Sequence, residues 1–267
     1  MFFSCPIKRT LDLLMESLIA IGRTLALAVY FMVFSGPALA GHDIVIGTTD
    51  GPPLINGDHT GFMERVAIEA FRRIGKTAEI VSLPGERSLI NVNDGIEDAE
   101  FVRISGLQAS YPNLRMVPEP IYVMEFSVFT NNVQFSPTGW NSLAPYDVAI
   151  VTGWKILENN IKNSRSLTKL SSVKNLFTFL DKKRTQVAVH AKWQGVDLIK
   201  RLGLKGITVM EPPLATRDVY LYLNKKYESL VLKLSEALKQ MKRDGTYEFI
   251  KNETLLSKYP NHILRTQ

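Results

Sequence analysis

The sequence predicts an α/β protein of two lobes, each a mostly parallel sheet flanked by helices. Three observations lead there. Apolar strand-type runs alternate with segments of helical period, the pattern of βαβ units, and such units place helices on the faces of parallel strands. The alternation comes as two sets, separated at residues 131–146 by a stretch containing Asn131, Asn132, Pro137, Gly139 and Pro145. The apolar fraction is 45% and Cys5 is the only cysteine, so a hydrophobic core, without disulfides, must hold the fold.

The elements follow in order. Asp43–Gly47 is a β-rich apolar run, and Gly51-Pro52-Pro53 forces a loop after it. Phe62, Val66, Ala70, Phe71 and Ile74 recur at helical spacing, with Gly75 where a C-cap belongs. Ala78–Leu83 is a second strand. Glu86 and Arg87 open a short helix that Leu89, Ile90 and Val92 can bury, and Asn93-Asp94-Gly95 stops it. Ala99–Ile104 is extended and carries Arg103 near its end. Pro112-Asn113 turns the chain into short Leu114–Val117, and Ile121–Thr130 is a long β-type run.

The second set begins with strand Asp147–Val151. Helices follow at Trp154–Ile161 and Val173–Leu180, then strand Gln186–His190 and helix Trp193–Leu202, closed by Gly203. Ile207–Met210 and Val219–Leu223 are read as two separate extended runs. Tyr227–Arg243 is the longest helix, with Leu230, Leu234, Ala237, Leu238 and Met241 on one apolar side.

The N-terminus reads as a targeting segment over residues 1–40. Thr24–Phe34 has the length of a secretory apolar region, Arg23 precedes it, and Ala38-Leu39-Ala40 is a small-x-small cleavage site. The run is short for a bilayer span of about 20 residues. The expectation is export to the periplasm and a mature chain beginning at Gly41; a retained membrane anchor is the alternative. Met15 offers a second start.

Arg103 stands at the carboxyl end of its strand, where open α/β sheets build ligand crevices. Around it, four stretches fall in a particular order: Thr60-Gly61-Phe62, Asn93-Asp94-Gly95-Ile96-Glu97-Asp98, Val148–Gly153 and Lys242-Arg243-Asp244-Gly245-Thr246-Tyr247. In their order and spacing, over roughly residues 43–252, these resemble the extracellular solute-binding proteins of family 3, the polar-amino-acid receptors of ABC transporters. The resemblance implies a two-strand hinge at Phe126–Thr130 and Tyr220–Leu223, with lobe 1 at 43–130 plus 218–267 and lobe 2 at 131–217. It also implies a solute captured between the lobes, an ABC-type membrane permease as partner, and a monomer. A receptor feeding a sensor, or a stand-alone relative, is the other binding reading.

Binding candidates follow from position and chemistry. Asp50 to Leu54 should line the crevice mouth. Arg87 and Arg103 offer planar forks that suit a carboxylate or phosphate, and Glu86 lies beside them. Thr152-Gly153-Trp154-Lys155 joins a strand to a helix whose start favours an anion, and Trp154 either covers an apolar ligand part or packs the lobes together. Gln186 and His190 bracket a strand that can reach the cleft.

Departures from the family pattern bear on the ligand. Leu54 stands where the amino-acid receptors usually have an aromatic. The arginine that grips an α-carboxylate would fall near Ser110, and none lies in Gln108–Pro112. The aspartate that takes the α-ammonium falls near Gln186. The solute is therefore read as small and polar or anionic, not as an ordinary α-amino acid.

Enzyme signals are sparse. His42, His59, His190 and His262 are scattered, and no nucleophile elbow, phosphate loop or dinucleotide fingerprint is present. No cofactor or metal is expected, and the only enzymatic rival uses Glu86 or Glu100 as an acid–base. The net charge of +6 is spread along the chain, which argues against nucleic acid.

Overall fold

Ile44 and Ile46 are fully buried in strand β1 (Ile44–Thr48), which lies between two parallel neighbours, β2 (Ala78–Ser82) and β3 (Ala99–Arg103). The computed structural model describes residues 43–49 and 51–259. The expected signal segment, its cleavage site, Cys5, Asp50 and His262 lie outside the described residues.

Helix α1 (Phe62–Arg73) packs Phe62, Val66, Ala70 and Phe71 into the core, as its spacing requires. Buried Glu64 accepts from the backbone N–H groups of Asn56, Gly57 and Gly61 and so fixes the preceding loop. Helix α2 (Gly85–Asp94) ends on Gly95 at φ 82°, the left-handed conformation that glycine adopts without strain.

With β4 (Leu114–Met116), β5 (Tyr122–Thr130), β6 (Asp147–Val151), β7 (Ser166–Leu170), β8 (Val187–Ala191) and β9 (Thr208–Asn224), a 9-stranded sheet runs in the order β2-β1-β3-β9-β5-β8-β6-β7, and β4 also pairs with β9. The second half uses β5, β6, β7 and β8. Helices α3 (Lys155–Asn160), α4 (Val173–Asp181) and α5 (Lys192–Arg201) belong to this half. The last helices, α6 (Val231–Arg243) and α7 (Thr246–Lys251), return to α1.

Three expectations change. The runs expected at Ile207–Met210 and Val219–Leu223 join, from Thr208 on, in one strand, β9 (Thr208–Asn224). Strand β7 was not expected: it is mostly polar and half-exposed, so no apolar run marks it. The third is the crossing. Phe126–Phe129 pairs with β8, and Tyr220–Leu223 pairs with β3, so both segments are locked into sheets. Between them, Tyr122–Glu125 and Thr216–Val219 pair with each other, and this two-stranded ribbon joins the halves.

Candidate functional site

The carboxyl ends of β1 and β3 open onto a cavity of about 170 Å³. Thr48 and Thr49 come from β1 and its exit, Phe101, Val102 and Arg103 from β3, and Leu54 and Ile55 from the turn between. That turn is fixed by the Gly51 N–H donating to the Ile55 carbonyl at 3.0 Å and by the Met63 N–H donating to the Leu54 carbonyl at 2.9 Å. Trp154 and Gln194 close the other wall from the second half of the sheet.

Residue Arg103 reaches the site through an irregularity. From Glu100 to Arg103, β3 advances one residue more than its partner β9, which makes a β-bulge. Within it Val102 has φ 73°, a region hostile to β-branched residues. In a regular strand, residues three apart point to opposite faces. The extra residue reverses that parity and brings Arg103 onto the side of Glu100. Its Nε donates to Glu100, and its Nη2 donates to the Gly85 carbonyl at the start of α2. The other oxygen of Glu100 accepts from Ser88 Oγ at 3.1 Å. Glu100 is fully buried, and burial pushes the Arg103 guanidinium below its ordinary pKa.

Two polar atoms at the cavity have no hydrogen-bond partner among the described residues: Thr48 Oγ1 and Gln194 Oε1. Gln194 sits in the first turn of α5, where Lys192 pairs with Glu125 of β5 at 3.3 Å and with Glu211 of β9. Burial works against the Lys192 charge, but the two carboxylates outweigh it and raise its pKa. Behind the wall, Trp154 meets Phe126 and His190 edge to face, at 5.6 and 5.1 Å between ring centres. Burial drops the His190 pKa to about 4, which leaves the ring neutral at neutral pH.

Of the residues expected from the sequence, Arg103, Leu54 and Trp154 come together here. Asp50 lies outside the described residues. Glu86 and Arg87 are exposed in the first turn of α2 and do not line the cavity. Thr152, Gly153 and Lys155 are also exposed, and the anion site expected at their helix start is filled internally. Glu158 accepts from the Gly153 N–H at 3.1 Å and from Lys155 Nζ at 3.0 Å. Gln186 sits just before β8, at the strand end remote from the cleft, where its side chain accepts from Arg165 and from the Asp147 N–H. His190 is a core ring supporting Trp154.

Thr48, Thr49 and Gln194 were missed. The rule that singled out Arg103, that ligands meet the carboxyl ends of strands, points equally to the residues ending β1 and following β8. Among the described residues no cluster of His, Cys, Asp or Glu is arranged to hold a metal, and no helix is long and apolar enough to cross a membrane.

No protein-family model matches this sequence, and no curated protein sequence is similar to it. Solved structures are similar. The ligand-binding core of GluR0 in complex with L-glutamate superposes with a TM-score of 0.64 at 13% identity, over 82% of this chain and 100% of that one. A histidine kinase sensor domain with similarity to periplasmic binding proteins gives 0.61 at 18% identity, over 80% and 96%. The fold is that of the periplasmic binding proteins. An amino acid ABC transporter substrate-binding protein, AbpA from Streptococcus pneumoniae bound to L-arginine, gives 0.58 at 14% identity, over 81% and 96%. The neighbours with this periplasmic-binding-protein fold are binding proteins and receptors, and at these identities the likeness carries the fold alone.

Proposed function

We propose that this protein is an exported solute-binding protein that captures a small solute in the cleft between β1, β3, Trp154 and Gln194, and delivers it to an ABC-type permease. The observation that carries the reading is the cavity itself. It joins a guanidinium, Thr48 and Gln194 to an apolar lining, on a two-lobed fold whose halves meet through one ribbon. The same reading divides the protein across this ribbon, with residues 43–121 and 220–259 in one lobe and residues 126–215 in the other.

Native mass spectrometry of the purified protein tests capture, with a retained small molecule as the expected result. N-terminal sequencing of the periplasmic fraction should start at Gly41; an intact N-terminus in the membrane fraction makes the leader an anchor. A second reading, a receptor that feeds a sensor, is favoured by the likeness to the histidine kinase sensor domain. Cross-linking in cells separates the two: capture of a permease supports delivery, and capture of a kinase supports sensing.

A further inference from the structure

We propose that the edge of the second lobe remote from the cleft is a basic docking face for an anionic phospholipid surface, built from Lys162, Lys182, Lys183, Arg184 and Lys205.

The net charge, spread along the sequence, is sorted by the fold. Residues 126–215 hold 12 Lys and Arg against 5 Asp and Glu, a balance of +7. Residues 43–121 with 220–259 hold 15 against 17, a balance of −2. One lobe is strongly basic and the other slightly acidic.

Topology then gathers the excess. Strands β6, β7 and β8 are parallel, with Asp147 opposite Ser166 and Val148 opposite Val187, so their amino ends share one edge of the sheet. Lys162 lies in the loop entering β7, and Lys182, Lys183 and Arg184 in the loop entering β8. Lys205 precedes β9, whose Thr208 pairs with Thr130; Thr130 Oγ1 donates to the Gln186 carbonyl at 3.0 Å, just before β8. Further bonds tie this edge together. The Gln186 N–H donates to the Asp147 carbonyl at 3.2 Å, and the Arg165 N–H to the Tyr146 carbonyl at 3.0 Å. Trp154 and Gln194 follow the opposite ends of β6 and β8, so a surface bound at this edge leaves the cleft uncovered.

All five cations are exposed, and their side chains have no hydrogen bond or ion pair among the described residues. Asp147 is taken by Arg165, which leaves Asp181 to offset them. A cation beside the carboxyl end of a helix complements its dipole. That accounts for Lys162 after α3 and Lys182 after α4, but not for the other three.

The chemistry favours lipid over protein. Four of the five are lysines, compact point charges that suit a field of headgroups; a single defined carboxylate is better met by the arginine fork. Protein interfaces are depleted in lysine and centre on aromatic or apolar anchors. The large apolar side chains exposed on the described surface, Ile96, Leu232 and Phe249 among them, all lie outside residues 126–215.

Flotation of the full protein with vesicles tests this, using phosphatidylcholine alone and equal parts of phosphatidylcholine and phosphatidylglycerol. The expected result is tighter binding to the mixed vesicles, lost as salt is raised. Lys182→Gln, Lys183→Gln and Arg184→Gln together should weaken it about a hundredfold and leave the melting temperature unchanged. Should that variant fail to fold, Lys162→Gln with Lys205→Gln, on the neighbouring loops, should weaken it about thirtyfold. Equal binding to both vesicles overturns the proposal, as does undiminished binding by these variants. So does an equal loss in Lys225→Gln, Lys233→Gln and Lys239→Gln, exposed cations of the other lobe, which makes net charge the cause. Cross-linking from Lys183 to an acidic protein in cells, without vesicle binding, gives the face to a protein and overturns it too.

Discussion

Arg103 carries two burdens that the sequence could not separate. It lines the cavity, and it neutralises Glu100, which has no exposure to solvent. Removing one partner of a buried pair leaves an uncompensated charge and costs about 3–5 kcal/mol. Arg103→Ala should therefore lower the melting temperature of the ligand-free protein by on the order of 10 °C. Adding Glu100→Gln should restore much of this, because the orphaned charge is gone while Ser88 keeps a partner. An unchanged melting temperature in the single variant would show that Glu100 does not depend on Arg103. His190 makes the second prediction at this scale. Its folded pKa is depressed by burial from 6.5 to about 4. The unfolded chain therefore takes up a proton first as pH falls, so stability is intact above about 6.5 and drains away towards 4. The full span is worth roughly 3 kcal/mol. Melting temperatures at pH 7 and pH 4.5 should differ less in His190→Leu than in the parent; identical pH dependence would mean that the ring is not buried neutral.

Among the elements, those with strong apolar periodicity were legible and those shaped by their neighbours were not. Helix α1 announced itself through Phe62, Val66, Ala70 and Phe71, and Gly95 marked the end of α2. Strand β7 has no such signal, because it lies at the edge of the sheet and alternates polar and half-buried residues. The bulge in β3 was equally hidden. A glycine would have flagged it, but the residue with positive φ is Val102. Arg103 could thus be placed at a strand end from sequence alone, while its pairing with Glu100 could not, since regular strand parity sets the two on opposite faces. Arg87 lies exposed on α2 and outside the cavity lining, and Lys155 is engaged locally, since Glu158 takes up its ammonium and the Gly153 N–H. Close packing at α5 yields a prediction. A Cβ on Gly195 would run into the ring of Phe129 and lie 2.9 Å from that of Phe177. Gly195→Ala should destabilise by about 1–3 kcal/mol despite the better helix propensity of alanine. Chemical denaturation measures it, and a neutral or stabilising result would mean that α5 can lift off β5 freely.

At the scale of the molecule, the proposed function puts hinge bending at the ribbon of Tyr122–Glu125 with Thr216–Val219, which joins the halves. The cavity takes walls from both halves, with Thr48 and Arg103 on one side and Trp154 and Gln194 on the other. A bound solute that touches both walls shifts the molecule towards the closed arrangement by its differential affinity. Small-angle scattering on the stripped and ligand-saturated protein should show a smaller radius of gyration with ligand. An unchanged radius in a sample proven to be saturated would mean that capture occurs without hinge motion.

Strand β9 also sets an order of assembly. The sheet begun at Ile44 acquires its neighbour for β3 only when Leu223 pairs with Ala99, whereas the strands from Tyr122 to Met210 find one another within a contiguous piece of chain. Distant pairings carry the larger loop-closure cost and form more slowly. As the polypeptide emerges from a ribosome, its first strands must wait, unpaired on that side, until β9 has been made and returns to them.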